Sequence, residues 1–183
     1  MSSLDPAPCA RADALQADAF ALLAEPRVRD ALQEIGEPVL LGSVVSNLMV
    51  RREIDIAFVV GPAFERADAI EVAGELWSLP GACGITFQDE VARPGDSGAR
   101  DDRFHVDLHL RRPQGVWRLD LSLFLHDDHR NVARHHERLR DCLSVEQRLR
   151  ILELKQEWAG LPDAPSSVNA YDEVVGTRWR ADE

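Results

Sequence analysis

The sequence predicts an α/β (α+β) fold: a sheet flanked by helices, with a helical segment at its C-terminal end. Three observations predict it. Residues 53–60, 104–110 and 116–125 alternate apolar and polar side chains with the period of two that a half-buried strand requires. Residues 11–24 and 65–78 carry apolar residues at helical spacing. After Asp128 the pattern is helical to the end. We place the α/β unit at 1–128, with N-terminal helices within 11–35, and the helical segment that packs on it at 129–183.

The elements follow in order. RADALQADAFALLA (11–24) reads as an amphipathic helix with Leu15, Phe20, Leu22 and Leu23 near one stripe. Pro26 punctuates its end, and VRDALQEI offers a second short helix. PVLLGS (38–43) reads as a short buried strand ending in a turn, and SNLMV as a helical turn. In EIDIAFVV (53–60), Glu53 and Asp55 point one way and Ile54, Ile56 and Phe58 the other. The helix at 65–78 sets Ile70, Ala73, Leu76 and Trp77 on one side before Pro80-Gly81 ends it. CGITF (83–87) suits a strand, and the polar stretch 89–103 suits a mobile loop. FHVDLHL (104–110) and VWRLDLSLFL (116–125), separated by RRPQG, form a β-hairpin pattern. Ser144 and Gln147 have capping-box spacing ahead of VEQRLRILELKQEW. LPDAPSS is a linker, and Val168 to Trp179 suits a last short helix.

Bulk properties narrow the function classes. The 183 residues are 45% hydrophobic and 29% charged, enough for one sizeable core. No apolar run approaches a membrane span, and the N-terminus lacks the pattern of a signal peptide, so a cytoplasmic protein is expected. Cys9, Cys83 and Cys142 are odd in number and form no CxxC, which argues against a disulfide framework or a cysteine zinc site. Net charge is −11, from 32 acidic and 21 basic residues, which argues against a general nucleic-acid binder. A metal–nucleotide complex can still approach such a surface, because the metal carries compensating charge.

The chemistry concentrates in LLGS (40–43), EID (53–55) and LDL (119–121). Acids at i and i+2 of a strand lie roughly 6–7 Å apart on one face. A third acid nearby adds like-charge repulsion that a cation normally relieves. Hard divalent ions take carboxylate, phosphate and water oxygens. Gly42 lets backbone approach a phosphate closely, and the Ser43 hydroxyl and N–H can donate to it.

With these residues in place, LLGSVVSNLMVRREIDIAFVV resembles the signature of the polymerase-beta-like nucleotidyltransferase superfamily: a strand, Gly-Ser, about one turn of helix, then paired acids on the next strand. WRLDLSLF offers Asp120 for that family's third carboxylate, and the tail EQRLRILELKQEW…YDEVV resembles small bacterial members. The resemblance runs over most of the chain from about Leu40. It implies a mixed sheet flanked by helices, a metal triad of Glu53, Asp55 and Asp120, and triphosphate binding by Gly42 and Ser43. Asp120 would help deprotonate the acceptor, and Lys155 would reach the triphosphate from a C-terminal helix. The implied reaction moves a nucleoside monophosphate from a nucleoside triphosphate to a hydroxyl, with Mg²⁺ or Mn²⁺ as cofactor. The implied acceptor is a small molecule or a protein, and a homodimer could build the acceptor cleft. Two departures bear on catalysis: Glu53 stands where the family has Asp, and Asn47, Leu48 and Met49 occupy the stretch of a second glycine. A methylene adds ~1.5 Å of reach. The alternative is therefore a catalytically weakened nucleotide-binding or regulatory module of the same fold.

Other clusters have plainer readings. Arg51 and Arg52 adjoin the acidic strand; we carry Arg52 forward as a phosphate contact against the alternative of a solvated corner. Asp107 competes with Asp120 for the third carboxylate. His105, Asp107 and His109 share a strand face and would suit zinc or iron, against the polar face of an edge hairpin. His126, Asp127, Asp128 and His129, like His135 and His136, fit a turn and a helix surface. Trp117 and Trp158 fit packing better than base stacking.

Overall fold

Alternation along the chain becomes two chemically opposed faces of one sheet. The computed structural model describes residues 7–91, 102–126, 130–159, 161–163 and 165–176. In chain order they form α1 (Ala7–Leu23), α2 (Pro26–Ile35), β1 (Val39–Leu41), α3 (Gly42–Ser46), β2 (Glu53–Val59), α4 (Arg66–Trp77), β3 (Ala82–Asp89), β4 (Arg103–Arg112), β5 (Gly115–Phe124), α5 (Arg130–Cys142), α6 (Val145–Trp158) and α7 (Ser167–Val175). The sheet order is β1-β2-β5-β4-β3. The β2–β5 pair is parallel and the other pairs are antiparallel, so the sheet is mixed and the fold is α+β.

On one face, Ile54, Ile56 and Phe58 of β2 lie beside Leu119, Leu121 and Leu123 of β5, all buried. Phe104, Val106 and Leu108 of β4 continue that layer. Helices α1, α2 and α4 close over it through Ala19, Leu22, Val28, Leu32, Ala69 and Leu76. Trp117 belongs to this core. The opposite face carries the acids.

Several boundaries differ from the sequence expectation, each for a physical reason. Pro26 starts α2 and does not end α1; a proline at the first helical position loses no hydrogen bond and arrives with helical φ. Phe20, Ile70 and Trp77 are 47%, 55% and 50% exposed. The contact faces are drawn by Ala12, Ala19 and Ala69, whose small side chains allow close approach. The short helix begins at Gly42, earlier than SNLMV suggested, and Asn47 caps it. The strand at CGITF extends to Ala82–Asp89, and the hairpin turn shrinks to Pro113 and Gln114. Most of the expected loop at 89–103 lies outside the described residues, as do Asp127, Asp128, His129 and Trp179.

Two polar devices fix the later helices. Ser144 and Gln147 form the capping box of α6, with Gln147 N–H donating to Ser144 Oγ at 3.2 Å and Ser144 N–H to Gln147 Oε1 at 3.0 Å. Asn47 takes the left-handed conformation (φ 55°) that a glycine would otherwise supply. Its Nδ2 donates to Asp13 Oδ1 at 2.7 Å, and Arg148 of α6 donates to the same carboxylate at 2.6 Å and to the Asn47 carbonyl. The departure at the expected second glycine is thus met conformationally by asparagine.

A second core joins the last helices to the rest. Ala12, Leu48, Leu139, Ile151, Leu152, Leu154, Ala170 and Tyr171 are all buried in it, and Trp158 packs at its edge. Among the described residues no helix is long and apolar enough to cross a membrane. All three cysteines are free.

Because the second core contains Ala12 and Leu48, the α/β unit and the later helices should unfold together. Leu152→Ala should cost about 2–5 kcal/mol. Thermal unfolding followed by circular dichroism should remain one transition at lower temperature. Two separate transitions would show that the helical segment melts by itself.

Candidate functional site

Register places the acids. Asp55 pairs with Asp120 across the parallel β2–β5 ladder, and Asp120 pairs with Asp107 across the hairpin. Three carboxylates therefore cross three strands in one row. The next row sets Glu53 beside Arg118 and His109; on the other side, Ala57 lies beside Ser122 and His105. In-register side chains share a face, so all of these groups project from the polar side.

Glu53, Asp55 and Asp120 each offer an oxygen within 4.8 Å of the others. The donor set is all oxygen, which suits a hard divalent cation. Gly42 adds a second sign of fit. Its φ is 66°, and a Cβ there would collide with the Asp55 carboxylate. The glycine therefore lets this carboxylate lie against the backbone at the start of α3.

Electrostatics single out Asp55. Burial, then the charges of Glu53 and Asp120, push its carboxyl up to about 7. Asp120 goes the other way. Burial opposes the ionised form, but the hydrogen bond and charge of His105, with Arg118, hold its carboxyl below the usual range. His105 Nε2 lies 2.7 Å from Asp120 Oδ1, and that bond raises the His105 pKa against the effect of burial.

Arg118 threads the cluster. It donates to Glu53 Oε1 at 2.8 Å, to Asp107 Oδ1 at 2.5 Å and to Asp120 Oδ2 at 3.0 Å. The alternation of WRLDL puts Arg118 on the same face as Asp120, so this contact was open to sequence reasoning once the register was drawn.

A cavity of about 240 Å³ adjoins the acids, lined in part by Gly42, Ser43, Arg51, Asp55, Lys155 and Tyr171. Lys155 is only 6% exposed. Its Nζ donates to Ser43 Oγ at 2.7 Å, to the Leu48 carbonyl at 2.6 Å and to Tyr171 Oη at 3.3 Å. Helices α6 and α7 thus bring Lys155 and Tyr171 to Gly42-Ser43. Nothing local in YDEVV signals the role of Tyr171; it follows from tertiary packing. On the other side of Asp55 lies a second cavity of about 290 Å³, with Arg103, His105, Asp120 and Ser122 in its wall. Gly42, Asp55 and His136 border both cavities. Burial, then the charges of Lys155 and His135, push His136 down to about 4, so it is neutral at physiological pH.

The expected residues divide as follows. Gly42, Ser43, Glu53, Asp55 and Lys155 line the first cavity, and Asp120 meets them from the second. Arg52 does not join them. Its guanidinium lies beside Gly115 at the hairpin end, and its Nε is buried without a hydrogen-bond partner among the described residues. Arg51 lines the cavity in its place, 3.9 Å from Glu53. Both arginines lie in the bend that leads into β2, and their side chains leave it toward different neighbours. The grouping of His105, Asp107 and His109 is also corrected. His105 and Asp107 converge with Asp120, while His109 is exposed two residues further along the strand.

No protein-family model, curated protein or solved structure matches this chain.

The Asp55 shift has a sign that can be checked. Its folded pKa lies above its unfolded value, so between about pH 4 and 7 the native state holds the extra proton, and stability falls as pH rises through that window. Asp55→Asn should match wild type at pH 4 in EDTA and exceed it at pH 8, by up to roughly 4 kcal/mol. A difference in Tm that does not change with pH would refute this. Gly42→Ala should lower stability and displace Asp55; an unchanged Tm would show the cradle is not required.

Proposed function

We propose that this protein is a metal-dependent nucleotidyltransferase that moves a nucleoside monophosphate from a nucleoside triphosphate to a hydroxyl of a small molecule or a protein. The observation that carries the reading is the meeting of two cavities at Gly42 and Asp55, one lined by the buried Lys155 and by the half-buried Ser43, the other by Asp120. A bound Mg²⁺ or Mn²⁺ would supply positive charge for the triphosphate and the departing pyrophosphate. Glu53, Asp55 and Asp120 would hold it.

The chain's own groups then have distinct tasks. Lys155 and Ser43 bind the triphosphate in the first cavity, with Tyr171 holding both in place. The acceptor enters the second cavity. Its hydroxyl oxygen attacks the α-phosphorus, the bond from that phosphorus to the bridging oxygen breaks, and pyrophosphate leaves. The hydroxyl proton passes to Asp120. Alignment of the two reactants on either side of Asp55 supplies much of the advantage, as expected where catalysis is positioning and electrostatics.

A second reading, nucleotide binding without turnover, is favoured by one observation: Glu53, already the longer acid, is held by Arg118. Misplacement by about 1 Å can cost about 100-fold in rate. Steady pyrophosphate release with any acceptor would dismiss it.

The primary test is a thermal-shift series with ATP, GTP, CTP and UTP, each with Mg²⁺, Mn²⁺ or EDTA. A ligand at 100 times its Kd stabilises by about 2.7 kcal/mol, which for a chain of this size is a rise of roughly 5–10 °C. The rise should need the metal and vanish in Asp55→Asn. No shift with any triphosphate would sink the proposal.

A further inference from the structure

Four carboxylates lie together on one sheet face: Glu53, Asp55, Asp107 and Asp120. A guanidinium already stands among them. Arg118 cannot lose its proton in a protein, so it is a permanent cation. Its planar fork reaches three acids on three strands: Glu53 on β2, Asp107 on β4 and Asp120 on β5. Of the four, Asp55 is the one it does not bond.

The oxygens are accordingly divided. Arg118 takes Glu53 Oε1, Asp107 Oδ1 and Asp120 Oδ2. His105 takes Asp120 Oδ1. Thr86 Oγ1 donates to Asp107 Oδ2 at 3.4 Å. The carboxylate oxygens that accept no hydrogen bond among the described residues are those of Asp55, whose Oδ2 lies against Gly42, and Glu53 Oε2, with Arg51 3.9 Å away. Two divalent ions would need the charge of several carboxylates, and here Glu53, Asp107 and Asp120 are already bonded to the arginine.

We propose that Arg118 is the resident cation of this site and fills the role of one divalent ion, so that the acids hold one metal ion and not two, chiefly through Asp55. This rests on the metal-dependent reading above. Arg118 acts as a positioning residue: it fixes Glu53 and Asp120 and sets the charge left for the metal.

The test counts Mn²⁺ on the full chain by electron paramagnetic resonance, with Mn²⁺ alone as the probe and circular dichroism as the check on folding. Wild type should bind one ion. Arg118→Met should bind two, the first at least tenfold more tightly than in wild type. Arg118→Gln removes the charge and keeps hydrogen-bond donors, so it too should bind two, and one ion on it would overturn the role of Arg118 even if the methionine variant does not fold. Two ions on wild type, or one on both wild type and a folded Arg118→Met, would overturn the role of Arg118 while leaving the metal site standing. No Mn²⁺ on any of the three proteins would overturn the metal reading itself, and this proposal with it.

Discussion

The parallel ladder between β2 and β5 brings like charges together, and the rest of the site is organised around that repulsion. Its register sets Asp55 directly beside Asp120, and the hairpin adds Asp107 to the same row. Directly opposed like charges destabilise a sheet. The apolar face forbids escape, because a slip of one residue would bury the acids and expose Ile54, Ile56 and Leu121. The fold therefore keeps the row and compensates it. Arg118 spans three acids, His105 caps Asp120, and Asp55, left out of that bonding, has its pKa raised by burial and then by the charges of Glu53 and Asp120.

Compensation also shapes the space around the row. Lys155 is buried in the wall of the first cavity, and its Nζ donates to Ser43, Leu48 and Tyr171. A buried ammonium tolerates its position through such hydrogen bonds and the charge of acids nearby, Asp55 among them. The neutral His136, set edge-on to Tyr171 at 5.9 Å, lines both cavities without adding to the charge.

The parts legible in the sequence are those written in short periods. Strands at 53–60, 104–110 and 116–125, the hairpin and the capping box at Ser144 all follow from local pattern. So does the shared direction of Glu53 and Asp55. What escaped depends on distance in the chain or on packing volume. Phe20 and Trp77 looked like core residues because size usually decides burial, yet alanines define those contact faces. Arg52 and Arg51 are adjacent letters, and only the path into β2 decides which enters the cavity. Tyr171 reaches Ser43 across 128 positions, a contact with no local trace. Arg118 lay between the two cases: its face was readable, but its three partners needed the order of strands.

The places of Tyr171 and Lys155 in the chain set the cavity apart from the acids beside it. The first cavity is lined by Gly42 and Ser43, near the start of the sheet, and by Lys155 and Tyr171, on helices that follow the whole sheet in sequence. The row of acids therefore lies wholly within residues 53–120, while the cavity also needs residues as far as Tyr171. Helix α6 is tied through Arg148 to Asp13 and Asn47, contacts that span 135 and 101 positions. The acids and the cavity wall are thus written in separate stretches of the chain, and a truncation ahead of α6 would keep every acid while removing the lysine and the tyrosine that complete the pocket.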